Sequence, residues 1–138
     1  MQQNQRNLDE LRRRDEKIYE QARITEVLRG EGNRTITLNG QETAPSSKAN
    51  VFWDIRANQW VVSGELPPAP DGKVYQLWFV TSDAKISAGL LKPKPDGHIF
   101  AELPIPKDLN NLAAAAITLE PEGGSSQPTM PIYTLGTI

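Results

Sequence analysis

The chain of 138 residues contains no cysteine and a single histidine, His98. Without thiols there is no disulfide, no thiolate metal site and no cysteine nucleophile. One histidine is also too few for a structural zinc or blue-copper site. His98 follows Asp96-Gly97, and this context is typical of an exposed histidine in a turn. We therefore expect no bound metal and no cofactor.

Long apolar segments are missing as well. No run approaches the roughly 18 residues of a membrane-spanning helix, and no signal-peptide core follows Met1. The 15 basic and 17 acidic residues nearly cancel, to a net charge of −2. This balance argues against nucleic acid or an acidic membrane surface as a partner, because both are bound through an excess of positive charge.

Patterns typical of catalysis are not found. A Ser-His-Asp constellation would need His98 as its base, and no G-x-S-x-G elbow is present to position a serine. Four carboxylates could face one another across a sheet: Asp54, Glu65, Glu102 and Glu120. Glycosidase chemistry would also require a cleft built by long loops, and the loops expected here are short. The chain is not expected to be an enzyme.

What the chain does contain is distributed unevenly. Residues 1–31 carry seven charges of each sign and no proline, whereas all eleven prolines follow Gly32. The first segment predicts a helix over 7–29, with an Asn7–Glu10 capping box at its start and Gly30 after its end. We divide the chain into a charged helical stalk (1–31) and a second domain (32–138).

The predicted helix offers two short apolar sets. Leu8, Leu11, Ile18 and Ala22 recur at helical spacing, but polar residues interrupt them, so the coiled-coil signal is weak and self-association stays an open alternative. The last turns contain the apolar residues Ile24, Val27 and Leu28. We expect these three side chains to dock on the second domain.

The second domain has strand periodicity. Strands are predicted over 34–38, 51–55, 59–65, 74–81, 86–92, 98–103, 114–120 and 132–135, separated by turns rich in proline, glycine and asparagine. Residues 110–116 could instead include a helical turn. The predicted fold class is mainly β, an antiparallel β-sandwich of about eight strands preceded by one N-terminal charged α-helix.

The aromatic residues allow two interpretations. Exposed tryptophans at 53, 60 and 78 would form a platform for a carbohydrate or peptide. Strand alternation over 75–79 instead places Tyr75 and Phe79 on one face and Trp78 on the other, which favours packing on both sides of a sheet. The Gly123-Gly124 segment is flanked by acidic residues, so a tight connection between strands is favoured over an anion-binding loop.

Several segments together resemble a known family. They are Tyr75-Gln76-Leu77-Trp78, Ser87-Ala88-Gly89, Asp96-Gly97, Thr118-Leu119-Glu120-Pro121-Glu122-Gly123-Gly124-Ser125 and Pro128-Thr129, with Val51-Phe52-Trp53-Asp54 upstream. In combination they look like the C-terminal domain of RskA-type anti-sigma factors, over about residues 24–138. The resemblance implies a non-catalytic role, and its motif residues are expected to be structural: Tyr75, Gln76, Leu77, Trp78, Gly89, Glu120, Pro121, Gly123, Gly124, Pro128 and Thr129.

The resemblance also implies a place in the cell. Such anti-sigma factors are single-pass membrane proteins of bacteria, and a zinc-associated cytoplasmic domain holds the sigma factor inactive. A domain like this one lies on the extracytoplasmic side, where a site-1-type protease cuts first. Because the chain contains no H-x-x-x-C-x-x-C element, contact with the sigma factor is expected only through a cytoplasmic domain absent here. The charged helix would be the juxtamembrane stalk and the protease target.

Two other classes of function stay open beside this regulatory one. The first is a free-standing ligand-binding sandwich that captures a carbohydrate or peptide on exposed aromatic side chains. The second is a structural module that dimerises through its helix. Burial of all three tryptophans would remove the aromatic platform.

Overall fold

The N-terminal helix begins earlier than predicted and ends just before Gly30. The computed structural model describes residues 2–107 and 111–137, with helix α1 at Gln2–Arg29. Because α1 starts at Gln2, Asn7 lies inside the helix, and the predicted capping box is wrong. The end agrees with the prediction. The Asn33 side-chain amide donates to the Val27 carbonyl (2.8 Å) and satisfies an acceptor of the last turn.

Eight strands follow α1. They are β1 (Arg34–Gly40), β2 (Lys48–Asp54), β3 (Gln59–Glu65), β4 (Lys73–Thr81), β5 (Lys85–Leu91), β6 (His98–Pro104), β7 (Leu112–Pro121) and β8 (Ile132–Thr137). Every paired neighbour is antiparallel. The predicted fold class, mainly β with about eight antiparallel strands after one charged helix, is confirmed.

The two layers of the predicted sandwich are halves of one continuous sheet. Its strand order is β5-β4-β7-β8-β1-β2-β3-β6. The sheet folds back on itself, so that Trp60 of β3 stacks on Phe79 of β4 with ring centroids 4.2 Å apart. The terminal strands β5 and β6 approach each other at Gly89, where a Cβ atom would lie 2.8 Å from the Leu103 side chain. The sheet is therefore nearly closed.

Strand alternation fills the interior of this folded sheet. Its buried core comprises Ile36, Leu38, Ala49, Val51, Trp60, Val62, Leu66, Tyr75, Leu77, Phe79, Leu91, Ile99, Ala115 and Ile117. A second, smaller cluster lies on the outer face, where Val27 of α1 packs with Phe52 and Val61. The sheet has its own core, and α1 adds a separate contact outside it.

Most predicted strands differ from the structure by one to three residues at an end, and two of these differences have a clear physical cause. Strand β2 begins at Lys48, three residues before the predicted start, because the full β1 and β3 ladders extend over it. Residues 112–116 belong to β7 and form no helical turn. Pairing with β4 outweighs the helix propensity of the alanines there. Residues 108–110 lie outside the described part of the chain.

Among the helices that the structure describes, none combines the length and apolar character needed to cross a membrane.

Candidate functional site

Helix α1 lies across the outer face of the sheet, over β2, β3 and β6. Its contact surface, residues 16–27 of α1 against these strands, is called the docking seam below. The apolar part is small: Val27 is buried against Phe52 and Val61, with Ile24 and Phe100 at its margin. Most of the remaining contacts in the seam join charged or polar side chains.

Arg23 lies at the centre of the docking seam. Arg23 is buried, with only 8% of its surface exposed to solvent. Its guanidinium forms an ion pair with Asp54 (Nη1–Oδ2, 2.8 Å) and donates to Glu102 (Nε–Oε2, 2.9 Å) and to the Gln59 carbonyl oxygen (Nη2–Oε1, 3.0 Å). One arginine therefore joins α1 to three sheet residues on β2, β3 and β6.

The protonation states fit this ion-pair network. Burial opposes the charged form of Asp54, but hydrogen bonds from the Ala57 amide and from Arg23 outweigh it and hold the pKa of Asp54 below its usual value. Burial likewise opposes charge on Arg23, while the two carboxylates raise its pKa further. Both groups remain charged, since each supplies the counter-charge that the other needs in a poorly solvated position.

Tyr19 and Lys94 extend the seam along α1. The Tyr19 hydroxyl donates to Glu102, and its ring meets Phe100 edge-on, with centroids 6.2 Å apart. One turn earlier, Glu16 forms an ion pair with Lys94 of the β5–β6 turn (2.8 Å). The polar contacts thus run from Glu16 to Arg23 on one face of the helix.

His98, expected as an exposed turn residue, instead bridges α1 and the sheet. Its Nε2 atom lies 3.0 Å from Glu20 of α1 and its Nδ1 atom 3.0 Å from Glu65 of β3. The side chain is only 24% exposed. Burial opposes the charged imidazolium, but hydrogen bonds to Glu65 and Glu20 and the charges of these carboxylates raise the pKa of His98 above its ordinary value.

The three residues predicted to dock have different environments. Val27 is buried, and Ile24 packs at the edge of the same cluster. Leu28 is 61% exposed and takes no part in the seam. The apolar side chains Leu8, Leu11 and Ile18 are exposed too. The docked face of α1 is therefore the mixed polar face, which hydrophobic periodicity does not single out.

The motif residues of β4 alternate between the two faces of the sheet. Tyr75 and Leu77 lie in the core, and the Tyr75 hydroxyl donates to the Pro67 carbonyl (2.7 Å). Burial, with a smaller effect of Tyr133, raises the pKa of Tyr75 to about 12. Gln76 and Trp78 point outward and are buried nonetheless. The cover over Gln76 comes from the segment between β7 and β8.

Glu120 lies at the centre of a second group of contacts on the outer face of the sheet, beside Gln76 and Trp78. It is 0% exposed. Its carboxylate accepts four hydrogen bonds, from the Thr118 hydroxyl, the Ser125 hydroxyl (2.8 Å), the Thr129 amide (2.7 Å) and the Thr129 hydroxyl (2.5 Å). The Trp78 indole donates to Thr118 (2.8 Å). These four residues and Glu120 are called the Glu120 cluster. Burial opposes ionisation, but the donors outweigh it and lower the pKa of Glu120.

The glycines of the motif let the β7–β8 segment reach the sheet. Gln76 exchanges two hydrogen bonds with the Ser125 backbone, at 2.9 and 3.1 Å. Gly124 has a φ of +85°, and a Cβ there would lie 2.8 Å from Leu90 and 3.1 Å from the Gln76 amide oxygen. Pro121 ends β7, and Pro128 lies next to Thr129 of the cluster. The Gly123-Gly124 segment therefore places Ser125 as a donor to Glu120, a carboxylate of the chain itself.

Several alternatives from the sequence can be compared with this geometry. Trp60 and Trp78 are buried, and Trp53 is half-buried and packs edge-on against Trp60 and Phe79. With two of the three buried, these tryptophans do not form the three-residue exposed platform. The four carboxylates considered for catalysis bind Arg23, His98 or the Glu120 cluster. Within residues 2–107 and 111–137, no three metal-ligating side chains converge.

Comparison with known proteins identifies a family. The family model described as "Anti-sigma-K factor rskA, C-terminal" matches residues 1–132, which include α1 as well as most of the sheet. No curated protein matches the chain. No solved structure matches it either.

Proposed function

Because the chain belongs to the family of C-terminal domains of anti-sigma-K factors, we propose that it is the extracytoplasmic regulatory domain of a membrane-bound anti-sigma factor. In this proposal α1 is the juxtamembrane stalk, and a site-1-type protease cuts it to begin release of the sigma factor. The sigma factor itself would be held by a cytoplasmic domain outside this chain. The family is a regulatory one, and the domain acts without catalysis.

The docking seam is the observation that carries the part of this proposal in which α1 controls the protease. Proteases cut extended backbone, so a helix must open locally before it is cleaved. The seam fixes residues 16–27 to the sheet through Arg23, Val27 and their partners. It combines a small apolar cluster with ion pairs, and such a contact can be released without unfolding the separate core of the sheet. Docking of α1 on the sheet would then control whether the protease can cut α1.

Limited proteolysis of two matched variants tests this control. Val27→Asp places a charge in the buried cluster, whereas Ile18→Asp makes the same kind of change at an exposed position of α1. We expect trypsin to cut 16–29 about tenfold faster in Val27→Asp, for a loss of roughly 1.4 kcal/mol or more of docking free energy, and at the wild-type rate in Ile18→Asp. Circular dichroism must show an intact sheet in both. Equal cutting of Val27→Asp and wild type would contradict the proposal.

A second candidate function is self-association through α1. The exposed side chains Leu8, Leu11 and Ile18 favour it, because they lie at helical spacing and belong to neither apolar cluster. Sedimentation equilibrium would compare wild type with Leu11→Glu. A concentration-dependent dimer abolished by the substitution would support this function, and a monomer at all concentrations would remove it.

A further inference from the structure

His98 is the only histidine of the chain, and it lies at the start of β6, between α1 and the end of β3. Both ring nitrogens face carboxylate oxygens, Glu20 on α1 and Glu65 on β3, each at 3.0 Å. The backbone of His98 is fixed by its own amide, which donates to Asp96 (3.0 Å). The imidazole is therefore held between two negative groups from different elements.

The number of protons on the ring decides whether this bridge is complete. An imidazolium has two N–H donors, one for each carboxylate. A neutral imidazole has one N–H, so the lone pair of its other nitrogen must face the second carboxylate. Loss of the proton removes one charge-assisted hydrogen bond. It also leaves Glu20 and Glu65 on either side of the ring with no positive charge between them. The contact changes from attractive to partly repulsive.

The groove that contains His98 is lined by charged groups from every element around it. They are Asp9, Arg12, Arg13, Arg14, Glu16, Lys17 and Glu20 of α1, Glu65 of β3, and Lys94 and Asp96 of the β5–β6 turn. Lys94 is paired with Glu16, which raises the pKa of Lys94 and lowers that of Glu16. The bond from the His98 amide lowers the pKa of Asp96. These shifts move the three groups away from the neutral range, where imidazole titrates.

We propose that His98 is a pH-sensitive clasp of the stalk, which ties α1 to the sheet when protonated and loosens the docking seam when it loses its proton. The biological consequence rests on the function proposed above, because a loosened α1 would be a better protease substrate. The structural event, partial release of α1, does not depend on that function.

The direction follows from the raised folded-state pKa of His98. When α1 detaches, it removes Glu20 from His98 but leaves Glu65 beside it, so the pKa of His98 is lower in the detached state than in the docked one. Stabilisation of the docked helix is fully present below the detached-state pKa and is lost as the pH rises through the higher docked-state pKa. Docking is therefore strongest in mildly acidic medium, and release occurs on the alkaline side.

Distance measurements between two spin labels test the clasp without any protease. Since the chain contains no cysteine, Leu11→Cys and Thr43→Cys would label only α1 and the β1–β2 loop, both at exposed positions. From about pH 5.5 to 8.5 we expect a longer, broader distance population to increase about tenfold, the effect of losing one hydrogen bond to a charged group. The same pair in a His98→Gln background should show no change with pH.

The imidazole resonance of the single histidine supplies an independent midpoint. In wild type, the NMR titration of His98 and the change in the distance distribution should have the same midpoint, above about 6.5. An unchanged distribution while the imidazole titrates would overturn the proposal, as would an equal pH response in His98→Gln. If the clasp responds to pH but Val27→Asp is not cut faster, the protease function fails and the clasp stands. If Val27→Asp is cut faster but the distance distribution does not respond to pH, the protease function stands and only the clasp fails.

Discussion

Two buried charges fix secondary elements to opposite regions of the outer face of the sheet. Arg23 attaches α1 to the sheet through partners on β2, β3 and β6. Glu120 attaches the segment after β7, because it accepts hydrogen bonds from Ser125 and Thr129. A buried charge is costly unless its partners are in place, so each of these residues makes one arrangement of its segment much more favourable than the alternatives.

Glu120→Gln should destabilise the domain by roughly 2–4 kcal/mol, because an amide cannot accept all four hydrogen bonds and its own N–H₂ would face donors. Chemical denaturation followed by the fluorescence of the buried tryptophans measures this change. Glu122→Gln is the matched control, at an exposed position two residues away, and should stay within about 0.5 kcal/mol of wild type. A loss as small for Glu120→Gln as for the control would show that the cluster is dispensable.

The same carboxylate should make stability depend on acidic pH. The folded-state pKa of Glu120 is below its reference value of 4.5, so its contribution is present above that pH and is lost as the pH falls through the folded-state pKa. The difference in unfolding free energy between wild type and Glu120→Gln should therefore shrink between about pH 7 and pH 3. A difference that stays constant over this range would contradict the assignment of a charged Glu120.

Arg23→Met should cost roughly 2–4 kcal/mol, mainly because Asp54 and Glu102 are left near each other without a counter-charge. Adding Asp54→Asn to this variant removes one of the unpaired charges and should recover about 1 kcal/mol. Arg13→Met, at an exposed position of the same helix, is the control. If the second substitution made Arg23→Met worse by its full individual cost, the ion pair would not be the source of the effect.

At the scale of elements, α1 is one continuous helix with two different environments. Residues 16–27 contact the sheet, whereas the earlier part presents Leu8 and Leu11 to solvent. Hydrogen exchange should therefore be slower by about tenfold or more over 16–28 than over 6–15. Val27→Asp should abolish this difference and Ile18→Asp should preserve it. Uniform exchange along α1 in wild type would mean that the seam does not hold the helix.

The strands were predictable because their signals are local. Alternation and turn residues locate β3, β4 and β6 to within one or two residues. The early start of β2 was missed, since 48–50 carries no apolar alternation of its own and is a strand only through its neighbours. Continuity of the sheet was also beyond local signals, because it depends on pairing between β1 and β8 from opposite ends of the domain.

The docked face of α1 was harder to predict for a related reason. Hydrophobic periodicity emphasises Leu8, Leu11 and Ile18, which are exposed. The face that packs contains Tyr19, Arg23 and Val27, at spacings of four residues. Its polar members depend on Gln59 and Glu102, tens of residues away in sequence. Outward-facing carboxylates in predicted strands, with no local partner, were the signal that a charged helix face would cover them.

At the scale of the whole molecule, the division of the chain at 31/32 stays a prediction, and the core suggests how to test it. The main cluster contains no residue of α1. Removing residues 1–29 should therefore leave the eight-stranded sheet folded, at a cost of roughly 2–4 kcal/mol for exposure of the Val27 cluster and for the loss of Arg23. Removing only residues 1–15 should cost less than about 0.5 kcal/mol, since Leu8 and Leu11 are already exposed.

Near-ultraviolet circular dichroism and urea unfolding of the two shortened chains would measure these costs. In the shorter chain, Phe52→Thr would make the uncovered outer face more polar and separate aggregation from loss of the fold. A folded 30–138 chain would mean that α1 is a detachable element, as release by a protease requires. An unfolded one, even with Phe52→Thr, would mean that α1 is an integral part of the domain. Cutting α1 would then destroy the domain, and docking could not act as a reversible control.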